Sequence, residues 1–256
     1  MGAISRETIQ IEEHRGVSLL RLSHGVINAI NLELVNELSE TLRQAREDPD
    51  IRGLVLTSAN DKFFSIGLDI PVLFPLTRSE FTIFYRAFNR LCVDLFTFPK
   101  PAVAAVTGHA VAGGCILALC CDYRFIAEGK KLMGLNEIKL GVPVPYAADR
   151  ILQHLVGWRL AREVMDGGEF YGGPELLERG LVDRVLPLKE VLTGAIEKVQ
   201  ALSASSPEAF ALIKRNRTEP VKAEILAHLD ERERRFVERW YSPESRERLE
   251  EAIDKF

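Results

Sequence analysis

Three short stretches carry residue types that could do chemistry. Residues 109–122 read HAVAGGCILALCCD, where Gly113 and Gly114 lead into an apolar run with no charge until Asp122. Residues 65–69 read SIGLD, and residues 134–141 read GLNEIKLG. Loop ends after buried strands are where α/β proteins place their binding groups. The glycine pair admits three readings. The first is a phosphate cradle, but no Lys follows as a P-loop requires, and the G-x-G-x-x-G spacing is absent. The second is close packing of a helix on a strand, which glycine permits because it has no Cβ. The third is a clamp for a developing negative oxygen. N–H groups at a helix start are unpaired and sit at the positive end of the helix dipole. A second N–H would come from the SIGLD loop, where Gly67 permits a sharp turn. One such donor is worth roughly 10²–10³ in rate when water is excluded.

Strands and helices must hold these loops. Thr8–Glu12 and Val17–Leu22 flank His14–Arg15–Gly16 and read as a hairpin. Asn31 caps a helix from Leu32 to about Arg46, with Leu34, Val35, Leu38, Leu42 and Ala45 on one face. GLVLT at 53–57, AVAAVT at 102–107 and YRFIA at 123–127 are short apolar strands suited to a sheet covered on both sides. A helix is expected over 79–96, a short buried one over 113–121, and a further strand over 182–186. Helices then crowd the second half, over 146–156, 159–166, 174–179, 189–203, 207–217, 221–240 and 243–254. The fold class is α/β with a C-terminal helical portion.

The 256 residues carry a formal net charge of −4, with 46% apolar and 27% charged residues. That balance points to neither nucleic acid nor an anionic membrane as a partner. Cys92, Cys115, Cys120 and Cys121 lack C-x-x-C spacing and a histidine cluster, so no metal is expected and the thiols read as buried and reduced. No apolar stretch approaches the ~18 residues needed to span a bilayer. MGAISRETIQ carries no signal-peptide pattern and the final DKF is not a peroxisomal address, so a cytoplasmic location is expected.

Six segments in order, NLELVNEL…IRGLVLTS, FFSIGLDI, KPAVAAVTGHAVAGGCILAL, CDYRFIAE, GLNEIKLGVP and LLERGLVDRVLP, resemble the enoyl-CoA hydratase/isomerase (crotonase) superfamily. The resemblance covers residues 8–256. It implies a spiral of ββα units over residues 1–200 and a C-terminal helical trimerisation or lid region over 201–256. It further implies a trimer or a pair of trimers and an acyl-CoA thioester as substrate, with no separate cofactor. The oxyanion donors it implies are the N–H groups of Ile66 and Gly113, with β-branched Ile66 standing where most relatives carry a small residue. Ser65, Gly67, Leu68, Asp69, Ile70 and Gly114 fall in segments that contact the CoA ester. Asp69 is expected to hold its loop by accepting N–H bonds.

The same resemblance makes Glu137 the acid–base group. Leu135, Ile138, Leu140 and Val142 surround it in sequence, and an apolar pocket raises a carboxyl pKa toward neutrality. Relatives that add water carry a second glutamate directly after GGC, where this chain has Ile116 as an apolar wall. Relatives that act on dienoyl-CoA carry an aspartate eight residues past the glutamate, where this chain has Pro145. One carboxylate suffices to move a double bond, and residues 113–141 particularly resemble the Δ3,Δ2-enoyl-CoA isomerases. Another single-carboxylate reaction (thioester hydrolysis or decarboxylation), hydration, or acyl-CoA binding without catalysis are the alternatives. His109 reads as a hydrogen-bonded structural residue rather than a second acid–base group, and Asp149 as a helix-surface or inter-subunit charge. Phe81, Phe84, Tyr85 and Phe88 line either an acyl tunnel or the core, and Phe236 and Trp240 close over the site or pack on a neighbour.

Overall fold

Apolar runs of five or six residues build the centre of the chain, as a sheet buried on both faces requires. The computed structural model describes residues 4–254. The first elements are β1 (Ile4–Ser5), β2 (Ile9–His14), β3 (Val17–Leu22), α1 (Leu32–Glu47), β4 (Gly53–Ser58), β5 (Phe63–Ser65), α2 (Ile70–Leu73) and α3 (Arg78–Phe96). The middle holds β6 (Ala102–Val106), β7 (His109–Val111), α4 (Gly113–Leu119), β8 (Tyr123–Ala127), β9 (Leu132–Gly134) and a 3-10 turn at Glu137–Leu140. There follow α5 (Tyr146–Gly167), β10 (Phe170–Gly172), α6 (Gly173–Glu178), β11 (Arg184–Leu186), α7 (Leu188–Ser203), α8 (Pro207–Trp240) and α9 (Pro243–Ile253).

The strands form a seven-stranded sheet in the order β1-β2-β3-β4-β6-β8-β11 and a four-stranded sheet in the order β10-β9-β7-β5. The large sheet is antiparallel through β3 and parallel from β3 to β11. A strand of the large sheet, one of the small sheet and then a helix recur as β4-β5-α2, β6-β7-α4 and β8-β9-α5. This is the expected ββα spiral. On one face of the large sheet, Val55, Val103 and Phe125 pack with Val191, Ala195 and Val199 of α7. On the other, Leu54, Leu56 and Ala104 join the main core with α1, α3 and α4.

The helix ends follow local chemistry. The Asn31 side chain accepts the Leu34 N–H at 3.0 Å, and Thr77 with Glu80 forms a capping box on α3. Residues 146–156 and 159–166 lie on either side of a kink within α5, at Gly157 with non-helical φ 79° and ψ 161°, as expected. One helix differs from expectation. Residues 207–217 and 221–240 form one helix through Pro220. An interior proline costs about 3 kcal/mol, and here α8 packs along α5 and α3. The helix is also tied down by charge. The buried carboxylate of Asp122, in the turn between α4 and β8, accepts from the Ala102 N–H, from Lys214 at 2.7 Å and from Arg217. The Asp122 and Lys214 side chains are only 3% and 2% exposed. All four cysteines are free and buried. Among the described residues no helix is long and apolar enough to cross a membrane.

Candidate active site

The SIGLD and HAVAGG loops interlock, and the glycines explain how. A Cβ on Gly114 would stand 2.3 Å from the Ser65 carbonyl oxygen, so only glycine lets α4 start against the end of β5. Gly67 has φ 97°, and a Cβ there would meet the Ala112 Cβ at 2.9 Å and the Gly113 nitrogen at 3.0 Å. Ser65 is fully buried; its hydroxyl donates to the Asn28 carbonyl at 2.7 Å and accepts the Gly67 N–H at 3.2 Å. Asp69 accepts the Val72 N–H at 3.2 Å and so caps α2. Ala112, just before the helix, is held at φ 47° and ψ −117°, a region L residues rarely adopt. Strain at this position is the cost of turning the chain into α4.

That turn exposes the start of α4 to a cavity. Gly113 is the first residue of the helix, and its N–H has no backbone acceptor among the described residues. The Ile66 N–H, across the interlock, donates to the Ile27 carbonyl at 3.2 Å. It can take a second acceptor only by sharing or exchanging that long bond. Both residues line a cavity of about 530 Å³, within the range of small-molecule sites. Glu137 opens the 3-10 turn, lines the same cavity and is 6% exposed. Burial pushes its carboxyl up to about 7 from an ordinary value of 4.5, against the opposing pull of its own and the Asn136 backbone N–H groups. Its Oε2 has no hydrogen-bond partner among the described residues.

A family description for enoyl-CoA hydratase/isomerase matches residues 12–256. The chain belongs to the enoyl-CoA hydratase/isomerase family. It is 33% identical over 190 residues to the mouse protein named enoyl-CoA delta isomerase 1, mitochondrial, covering 74% of this chain. The match spans 66% of the mouse protein, just under two thirds of its length. It is 31% identical over 248 residues to a probable enoyl-CoA hydratase of Bacillus subtilis, covering 93% of each. The crystal structure of human mitochondrial delta3-delta2-enoyl-CoA isomerase superposes with a TM-score of 0.93 at 26% identity, over 97% of each chain.

Within this enoyl-CoA hydratase/isomerase fold, Ile66, Leu68, Ile70, Gly113, Ile116 and Glu137 come together on the cavity wall. Ser65, Gly67, Asp69 and Gly114 do not line it; they shape the two loops behind it. Ile116 and Pro145 are both buried in the wall. His109 stands outside the cavity: its Nδ1 accepts the Leu132 N–H at 3.2 Å beside Phe63, and burial with nearby Lys131 lowers its pKa. Of the α3 aromatics only Phe88 reaches the cavity, while Phe81, Phe84 and Tyr85 are core residues. Phe236 and Trp240 line the cavity of their own chain. Asp149 pairs with Arg150 and Gln153. Sequence reading missed Asn136 and Lys139 beside Glu137, Phe170, and the α9 residues Arg248, Glu251 and Ala252. No motif marks the α9 trio, whose spacing of three and four is that of any helix face.

Proposed function

We propose that the protein converts 3-enoyl-CoA to 2-trans-enoyl-CoA, with Glu137 as the sole acid–base group. One observation carries the reading: among the described residues the cavity has a single buried carboxyl, and Ile116 and Pro145 occupy the wall where a partner carboxyl would be needed. The other carboxyl on the wall, Glu251, is exposed on α9.

The ionised Glu137 removes a proton from C2 of the thioester. Charge moves to the carbonyl oxygen, which accepts from the Gly113 N–H and, by sharing its bond to Ile27, from the Ile66 N–H. The dienolate spreads the charge to C4. The protonated Glu137 then returns its proton there, and the double bond comes to rest between C2 and C3. A proton leaves and a proton enters, so no redox partner is needed. A pKa of about 7 suits a group that must be base and then acid near neutrality. Apolar Ile116 offers water no hydrogen bond at the reacting carbons. Assembly as a trimer or a pair of trimers goes with this reading.

The test is incubation with 3-hexenoyl-CoA while following absorbance of the conjugated product, with 2-hexenoyl-CoA as the hydration control. Isomerisation without hydration supports the proposal. Faster hydration than isomerisation, or release of free CoA, overturns it.

A further inference from the structure

The base sits on a short turn, and the far end of that turn is gripped by the C-terminal helix. Within the turn, Val142 donates its N–H to the Glu137 carbonyl at 3.2 Å and Gly141 donates to Ile138 at 3.1 Å. The Gly141 carbonyl is thus fixed relative to Glu137. It accepts two side-chain donors from the α8–α9 junction: Ser245 Oγ at 2.7 Å and Arg239 Nε at 2.7 Å. Ser245 is fully buried, and the Ser242 hydroxyl donates to it at 3.1 Å. The junction is braced on its other side. Tyr241 donates its hydroxyl to the Leu76 carbonyl at 2.7 Å, and Arg246 donates to the Phe74 carbonyl at 2.7 Å while lying over the Phe74 ring. The same α9 supplies Arg248, Glu251 and Ala252 to the cavity wall.

We infer that Ser245 and Arg239 are positioning residues for Glu137: through the Gly141 carbonyl they lock the turn that carries the carboxyl, so the seating of α9 on the cavity and the placement of the base are one event. This rests on the reading of Glu137 as the acid–base group. When α9 is seated, the cavity is walled and the turn is held. When α9 lifts, Ser245 leaves the Gly141 carbonyl, Arg239 at the end of α8 loses its Glu244 partner on α9, and the carboxyl loses its fixed place. A displacement of about 1 Å at a reacting group can cost about 10²-fold in rate. The titratable groups facing the carboxyl are Tyr85 of α3 and Cys115 of α4, both held neutral by burial, and Lys139, Arg248 and Glu251 at the rim.

The experiment compares Ser245→Ala, Ser245→Thr and Arg239→Gln with the unaltered enzyme on 3-hexenoyl-CoA across pH. In Ser245→Ala and Arg239→Gln, kcat should fall about tenfold or more while KM moves by less than about threefold. The acid limb of kcat/KM should shift about half a pH unit or more to lower pH, because a loosened turn admits water to the carboxyl. Ser245→Thr, which restores the hydroxyl, should recover both. The Glu137 carboxyl, followed by carbon-13 NMR and assigned with Glu137→Gln, should titrate lower in Ser245→Ala. A loss of rate that merely follows the folded fraction, with an unmoved pH midpoint and carboxyl titration, overturns the inference; so does an unchanged kcat. If the unaltered protein lacks isomerase turnover, the isomerase reading fails, while the carboxyl titration still decides the coupling.

Discussion

Replacing Glu137 with Gln should cost activity and yield stability, and the second effect can be worked from the structure. The carboxyl titrates near 4.5 when exposed and is raised to about 7 by burial. The folded state therefore holds this proton more tightly than the unfolded chain does. That contribution to stability is fully present below pH 4.5 and is lost as pH rises through 7. Between pH 5 and pH 8 the loss amounts to about 2 to 3 kcal/mol at 1.36 kcal/mol per unit. Gln cannot ionise, so the variant escapes that loss. The advantage of Glu137→Gln over the unaltered protein should grow by that amount from pH 5 to pH 8, or about 5 °C in Tm for a chain of this size. Other carboxyls titrate alike in both proteins and cancel in the difference. Scanning calorimetry of both proteins at the two pH values measures it. Turnover of 3-hexenoyl-CoA should meanwhile fall about 10⁴-fold, since both proton transfers lose their group. A Tm difference independent of pH would refute the burial argument, and retained turnover would refute the assignment of the base.

Gly114→Ala should destabilise by about 3 kcal/mol in urea unfolding, because the added Cβ meets the Ser65 carbonyl oxygen at 2.3 Å. Ala112→Gly should stabilise by about 1 kcal/mol, since relief of strain at φ 47° exceeds the added freedom of the unfolded chain; the same denaturation assay checks it. Asp122→Asn should destabilise by about 3 to 5 kcal/mol, because Lys214 would stay buried with no anion beside it. Light scattering should return three or six times the 28.7 kDa chain mass, with exposed Trp158, Leu212 and Ile213 covered in the assembly.

The large sheet and its helices were legible because their signals are long or sharp. Val17–Leu22 and Tyr123–Ala127 have the expected bounds, and Asn31 caps α1 as its type suggests. The small sheet was not legible: β5, β7, β9 and β10 have three residues each, too few to show a period of two. Pro220 was misleading in the other direction, since a local rule about proline cannot anticipate packing on α3 and α5. At the site, the loops around Gly113 and Glu137 were visible as motifs. What the motifs could not reveal is that Gly114 serves packing against Ser65 while Gly113 faces the cavity, a distinction of one residue set by backbone direction. Nor could they reveal the Ile66 N–H bond to Ile27, which depends on a chain segment 39 residues earlier in sequence (66 − 27). The Ser245 and Arg239 contacts to Gly141 join residues about a hundred positions apart, and nothing local announces them.

The most direct measurement is product analysis from 3-hexenoyl-CoA carrying deuterium at both C2 positions. One carboxyl working in a dry cavity should give 2-trans-hexenoyl-CoA with part of the deuterium transferred to C4, and Glu137→Gln should abolish that transfer. Formation of 3-hydroxyhexanoyl-CoA or free CoA as the main product, or conversion that persists in Glu137→Gln, would contradict it.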